Sequence, residues 1–403
     1  MHATMKVENV VRAALDGKPL SRSEAIFLSP LQGEELGLLL EAASQLRDRY
    51  KGRTVTFSPK VFIPLTNLCR DFCGYCTFRK APGEAGAKTM TLDEVLSVAR
   101  KGKLLGCAEA LFSLGDRPEA IYGEMRRFLE EMGLRRTLDY LYEACKLVLE
   151  ETGLLPHSNP GLMGVGDLKR LREVNVSLGL MLENISERLM LRAGPHFDAP
   201  DKVPSLRLKT IEEAGKLSIP FTTGILIGIG ETWEERIDSL LVIRELQSRY
   251  GHIQEVIVQN FRAKPDIPMR DQPEPGVEEM LKTIALARLI LGGEMNIQAP
   301  PNLSPETYPL YLLAGINDWG GVSPLTPDYI NPEAPWPELA ALKRRTAEAG
   351  FTLRARLPIY PEFLRLGQKF IAPSLLPHVE RLCDGEGLVP FRFDRVLAHA
   401  ERA

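Results

Sequence analysis

The sequence has no long apolar run. Nowhere in its 403 residues does an uninterrupted hydrophobic stretch approach the ~18 residues a membrane span needs. Its opening, Met-His-Ala-Thr-Met-Lys, also lacks an apolar signal segment. Charge of one sign is missing too: 50 Lys+Arg stand against 53 Asp+Glu with no basic cluster, so nucleic acid is not an expected partner. Low-complexity tracts and short internal repeats are absent. Six cysteines are too few for a disulfide framework. Three of them, Cys107, Cys145 and Cys383, lie far apart and read as ordinary core thiols. These absences describe a cytoplasmic enzyme, long enough for two or three domains or for one α/β barrel with extensions.

What is present is concentrated in Cys69-Arg-Asp-Phe-Cys73-Gly-Tyr-Cys76, which follows the apolar run Val61-Phe62-Ile63-Pro64-Leu65. A four-iron cluster offers four iron corners and takes thiolates as its usual ligands. Three closely spaced cysteines therefore suggest a cluster with one iron left open, the condition for chemistry at a metal. Two other uses compete. A buried helix face accommodates cysteine, but Gly74 is a poor interior helix residue. Structural zinc calls for a second pair of ligands, and none follows.

Short apolar runs alternate with helical stretches, the pattern of a parallel sheet with crossover helices. Candidate strands are Val61-Leu65, Ala110-Leu114, Leu154-His157, Val176-Leu182, Phe221-Ile227, Glu255-Gln259, Asn296-Ala299 and Ala314-Asn317. Thr91-x-x-Glu94 and Thr232-x-x-Glu235 read as capping boxes that start helices. The expected architecture is an α/β TIM-like barrel over residues 56–325. Residues 1–55 form a helical extension, and residues 326–403, entered through the Pro-rich stretch near Pro327–Pro337, a small C-terminal element closing the barrel. Polar residues gather just after the strands, where such a barrel keeps its active site. Among them are Asp116, Asn159, Glu183, Gly228, Glu231, Gln259, Asn260, Gln298, Asn317 and Asp318. Trp233, Trp319, Tyr308 and Tyr311 fall near the same loops, to wall a cavity or simply to pack.

Cys-x-x-x-Cys-x-x-Cys with an aromatic before the last cysteine resembles the radical S-adenosylmethionine (SAM) superfamily. The resemblance implies a 4Fe-4S cluster on Cys69, Cys73 and Cys76, SAM chelating the open iron, and reductive cleavage to a 5′-deoxyadenosyl radical. It also implies SAM contacts. Tyr75 and Phe78 belong to the cysteine loop. Ser113-Leu-Gly115-Asp116 stands where relatives carry Gly-Glu for the SAM amino group, with Asp in place of Glu. Gly224-Ile-Leu-Ile-Gly228-Ile-Gly-Glu231 resembles the strand that passes under the adenine. Glu183 and Arg207 match an acid and an arginine of biotin-synthase-like members, the arginine suiting the carboxylate.

Four further segments resemble the first-subunit family (CofG) of FO synthase, which builds the deazaflavin of coenzyme F420. They are Leu114-Gly-Asp-Arg-Pro-Glu119, His157-Ser-Asn-Pro-Gly161, Gln259-Asn-Phe-Arg-Ala-Lys-Pro265 and Asn317-Asp-Trp-Gly-Gly-Val-Ser-Pro324. A second subunit, CofH, would supply the tyrosine–ribitylaminouracil adduct, and a reducing electron donor is implied. Asn159, Gln259, Asn260, Gln298 and Asn317 would meet the uracil edge and ribityl hydroxyls, and His157 or Asp318 would move protons. The alternatives are CofH itself, a menaquinone-pathway or thiazole-forming lyase, or a non-enzymatic iron–sulfur or zinc protein.

Overall fold

The computed structural model describes residues 6–392; the opening Met-His-Ala-Thr-Met and residues 393–403 of the expected C-terminal element lie outside the described residues. Three helices come first, α1 (Val7–Leu15), α2 (Arg22–Leu28) and α3 (Gly33–Lys51). The strands follow as β1 (Thr54–Thr66), β2 (Glu109–Leu114), β3 (Leu155–Asn159), β4 (Ser177–Gly179), β5 (Phe221–Ile227), β6 (Ile253–Asn260), β7 (Ile297–Gln298) and β8 (Asp318–Val322). All pair in parallel, and β1 bonds to both β2 and β8, which closes an eight-stranded barrel. The helices between them are α4 (Leu92–Leu104), α5 (Gly123–Glu131), α6 (Thr137–Thr152), α7 (Val165–Leu171), α8 (Pro204–Lys216), α9 (Trp233–Tyr250) and α10 (Val277–Leu291). Thr91 with Glu94 and Thr232 with Glu235 form the expected capping boxes of α4 and α9.

Side-chain alternation along β1 decides what the barrel holds. Val55, Phe57, Val61, Ile63 and Leu65 turn outward into the core beneath the helices. Ser58, Lys60 and Phe62 turn inward; Ser58 hydroxyl meets Glu109 of β2, and the other two line cavities. Cys107 and Cys145 lie in the core and Cys383 packs against it.

The eighth strand departs from expectation. Ala314-Asn317 is a turn, and β8 begins only at Asp318, opposite Thr56 near the start of β1. The apolar run that suggested a strand instead packs below the barrel: Ala314 and Ile316 are fully buried, and Gly315 takes a positive φ of 97°. Asn317 and Asp318 therefore belong to the bottom of the barrel, the end opposite the cysteine loop.

After β8 the chain crosses the mouth, then forms α11 (Leu339–Glu348) and β9 (Thr352–Arg356). β9 adds in parallel to the first residues of β1, and β10 (Leu388–Val389) adds antiparallel to β9. Residues 356–360 plug the bottom: Pro358 carbonyl accepts from Ser177 and from Gln254 Nε2 at 3.0 Å. No described helix is long and apolar enough to cross a membrane.

Candidate active site

The barrel mouth holds a cavity of about 340 Å³, and a polar chamber of about 90 Å³ lies beneath it. The cysteine loop forms one wall. It is fixed from three sides: Arg70 N–H donates to Asp116 O (2.9 Å), Gly74 N–H to Pro195 O (2.8 Å), and Met269 N–H to Gly74 O (3.0 Å). Gly115 permits the closest of these approaches, since a Cβ there would stand 2.0 Å from Leu68 O and 2.6 Å from Cys69 Cβ.

Cys69, Cys73 and Cys76 all face the cavity, and none is in a disulfide. Backbone N–H groups of Asp71 (3.4 Å) and Asp116 (3.2 Å) point at Cys69 Sγ, an arrangement that favours a thiolate. Burial pushes the Cys69 thiol up to about 12, so the site needs a cation before it can hold thiolates. The three sulfurs do not all lie within 4.8 Å of one another. A single zinc with Zn–S of about 2.3 Å draws its sulfurs to roughly 3.8 Å. The wider spacing fits separate corners of a polynuclear cluster.

Beside the triad, Asp71, Asp116 and Asp201 place carboxylate oxygens within 4.8 Å of one another, all buried. Asp201 is compensated by Arg70 (2.6 Å) and Arg117. Asp116 Oδ2 accepts from Leu162 N–H at 3.0 Å, while its Oδ1 holds no hydrogen bond and has only the Arg117 guanidinium beside it, Nε at 3.4 Å. Burial, with Asp201 close by, raises the Asp116 carboxyl to about 7. A cavity-lining carboxylate with one oxygen free of hydrogen bonds fits the ammonium of an amino acid such as SAM.

Glu183 sits opposite, at the end of the β4 run, with φ of 64°. It receives Tyr75 hydroxyl and Lys202 ammonium, and His196 Nε2 lies 3.1 Å away. Burial alone would raise its pKa, but Lys202, His196 and Arg207 outweigh it and hold the carboxyl well below its ordinary range. Arg207 anchors through Nε to Met181 O (2.8 Å) and Nη1 to Asp201 O (3.2 Å).

Fourteen of the expected site residues line the mouth cavity. Besides the cysteines they are Tyr75, Phe78, Ser113, Gly115, Asp116, Glu183 and Arg207 on the cysteine side, and Asn159, Gln259, Asn260 and Gln298 across from it. Five do not. Glu231 turns back on its own loop, accepting from Gly228 N–H (3.0 Å) and Ile229 N–H (2.9 Å) and pairing with Arg236; it fixes the turn at Gly228. His157 lines only the lower chamber, bonded through Nδ1 to Ser177 Oγ at 2.6 Å, and burial lowers it to about 4. Asn317 accepts from Arg288 (2.9 Å), and Asp318 pairs with Arg356 (2.6 Å) at the barrel bottom. The late start of β8 removes the reason for placing either beside a substrate. Trp319, Tyr308 and Tyr311 are core residues, with Trp319 Nε1 donating to Thr346 Oγ1 at 3.1 Å. Trp233 is half-buried on α9, its ring under Arg236. The aromatic wall is made instead by Phe62, Phe261 and Trp336.

Sequence reasoning missed Lys60, Lys202 and His196. Lys60 left a signal, the lone charge in β1. The other two stand in an irregular stretch that carries no periodicity.

The radical SAM superfamily model matches residues 63–243. A 7,8-didemethyl-8-hydroxy-5-deazariboflavin synthase from Methanopyrus kandleri is 54% identical over 333 residues, 83% of this chain and 99% of the relative. FO synthase from Nocardia farcinica is 50% identical over 94% of this chain, and the chain spans about half of that relative, 45% of its length. Among solved structures, methylornithine synthase (PylB) superposes with a TM-score of 0.67 at 23% identity, covering 85% of this chain and 97% of its own. The FeFe-hydrogenase maturase HydG from Carboxydothermus hydrogenoformans gives 0.72 at 19% identity, covering 98% and 90%. Both share the barrel fold. With a cysteine triad facing the mouth of a closed parallel barrel, and with these relatives, this chain belongs to the radical SAM superfamily, in the family of the 7,8-didemethyl-8-hydroxy-5-deazariboflavin synthases.

Proposed function

We propose that this chain is the ring-closing enzyme of deazaflavin formation. It takes the adduct of tyrosine and 5-amino-6-ribitylamino-uracil made by a second subunit, CofH. It converts that adduct to 7,8-didemethyl-8-hydroxy-5-deazariboflavin (FO) with loss of ammonia. The observation that carries the reading is the 54% identity along 99% of the Methanopyrus synthase. The FO synthase of Nocardia farcinica, 50% identical over 94% of this chain, supports the same reading.

In this reading Cys69, Cys73 and Cys76 would hold the cluster, which with SAM would supply a 5′-deoxyadenosyl radical. Asp116 receives the SAM amino group on Oδ1, which holds no hydrogen bond of its own, with Ser113 and Gly115 beside it. Arg207 serves the carboxylate, and Glu183, steadied by Tyr75, serves the ribose, with Phe78 alongside. Asn159, Gln259, Asn260 and Gln298 meet the polar edges of the adduct. Phe62, Leu226, Phe261 and Trp336 keep the space dry, which a primary alkyl radical requires. Residues 56–325 form the catalytic barrel, with residues 1–55 and 326–403 as its extensions.

The test is an anaerobic assay of reconstituted protein with SAM, dithionite, tyrosine and the ribitylaminouracil, with and without CofH. FO appearing only when both proteins are present is the expected result. If 5′-deoxyadenosine forms and FO never does, the substrate assignment falls while the radical chemistry stands.

A further inference from the structure

Lys60 lies on β1 at the level where the mouth cavity narrows into the lower chamber, and it lines both. It is 6% exposed. Among the described residues its ammonium makes no hydrogen bond, and no carboxylate oxygen lies within 4.0 Å of Nζ. It stands instead over the ring of Phe62 at 5.3 Å and of Trp336 at 4.9 Å. Space for it is made from the neighbouring strand, β8. A Cβ on Gly321 would lie 2.3 Å from Lys60 Cδ and 2.6 Å from Nζ. The preceding residue does the same for another side chain, since a Cβ on Gly320 would lie 2.0 Å from Gln298 Nε2. The Gln298 side-chain amide likewise has no hydrogen-bond partner among the described residues.

Two consecutive glycines thus clear room for a cation and an amide that face the cavity with their bonding capacity unspent. An ammonium away from water is costly, and two aromatic faces offset only part of that cost. An oxygen acceptor on a ligand completes the offset. A pyrimidinedione ring presents alternating carbonyl and N–H groups along its edge, which matches a cation beside an amide, and its flat faces suit flanking aromatic rings.

We infer that Lys60, with Gln298 at its side, is the specificity-determining contact for the pyrimidinedione end of the substrate, its ammonium donating to a ring carbonyl oxygen. This rests on the deazaflavin reading above and names the end of the adduct that lies deepest in the barrel.

The test uses the reconstituted holoenzyme with SAM and measures binding of the tyrosine–ribitylaminouracil adduct. Lys60→Met keeps the length and apolar stem and removes the charge. Adduct affinity should fall about 10- to 100-fold while SAM affinity stays within about two-fold. Gly321→Ala reaches the same ammonium from β8 and should give the same pattern at about 5- to 10-fold. If both variants bind the adduct as the unaltered protein does, Lys60 is not the contact, and FO formation by that protein leaves the enzyme assignment standing. If the unaltered protein neither binds the adduct nor makes FO, the deazaflavin reading and the Lys60 assignment fall together. Should Lys60→Met lose SAM and adduct alike, it has lost the barrel, and Gly321→Ala decides.

Discussion

The two ends of the barrel are both rich in buried charge, yet they treat it in opposite ways. At the bottom the buried arginines and the carboxylates beside them are answered by protein. Arg356 donates to both oxygens of Asp318 (2.6 and 2.9 Å) and to Glu255 Oε1 (3.0 Å), which also accepts from Tyr360 hydroxyl (3.0 Å). Arg288 bonds to Met295 O (2.6 Å), Gly315 O (2.9 Å) and Asn317 Oδ1 (2.9 Å). At the mouth, Asp116 Oδ1 and Asn260 Oδ1 hold no hydrogen bond, and among the described residues neither does the Lys60 ammonium, which stands over two aromatic rings. Buried polar groups in native proteins are almost always paired, so unpaired ones gathered in one cavity mark where ligand atoms belong. Burial and charge alone would rank Asp318 with Asp116; the partner inventory separates them.

The comparison breaks most visibly at the cysteine loop. Cys73→Ala should abolish iron loading and SAM cleavage while leaving the fold, because the loop's position rests on backbone bonds to residues 116, 195 and 269. Iron content and 5′-deoxyadenosine release check this, with far-ultraviolet circular dichroism as the control for folding. Cleavage at the ordinary rate would remove Cys73 from the site.

The bottom should answer the opposite way. Arg356→Met leaves Asp318 and Glu255 as buried carboxylates without their cation, a change expected to cost about 3–5 kcal/mol of stability. The unfolding midpoint in urea reads this directly. SAM cleavage per folded molecule should persist, since Arg356 does not line the mouth cavity. A variant as stable as the parent would show that the bottom network is not structural.

The same contrast explains what the sequence made legible. Strands read well where apolar runs are flanked by capping boxes: β5 was expected and found at Phe221–Ile227. The cysteine spacing is local, so it needed no fold to be recognised. Asp318 was misjudged because a strand's start and its end look alike in one dimension. Shifting the start of β8 by four residues moves that carboxylate from mouth to bottom. Lys60 was passed over because what makes it unusual is an absence, the missing Cβ of Gly321 on a strand more than 250 residues away. Lys202 and His196 surround Glu183 from a segment without helix or strand periodicity, which propensity cannot place.

Smaller in effect, Arg207→Ala should weaken SAM binding about 10- to 100-fold, the range for losing a charge-assisted bond in a closed site. Equilibrium binding to the reconstituted protein measures it. Arg207 also ties Met181 and Asp201 carbonyls together, so Arg207→Lys is the informative companion. A lysine keeps the charge without the planar fork, and partial recovery of affinity would assign the loss to charge. Unchanged affinity in Arg207→Ala would leave Arg207 as a backbone strut, like the arginines of the bottom.

The smallest effect is a slope. Burial raises Glu255 from 4.5 to about 7, with Arg356 opposing and Asp318 adding to the rise. Between those two values the folded protein holds a proton that the unfolded chain has already released. Stability must therefore fall as pH rises through that window. Glu255→Gln holds no such proton and should flatten the decline in the urea midpoint between about pH 5 and about pH 7. Equal slopes in both proteins would place the responsible proton elsewhere. Repeating the pair with the cluster and SAM bound sharpens the contrast. A self-contained network at the bottom keeps its slope whatever fills the mouth, whereas a slope that moves with SAM would mean that the two ends of the barrel share their charge.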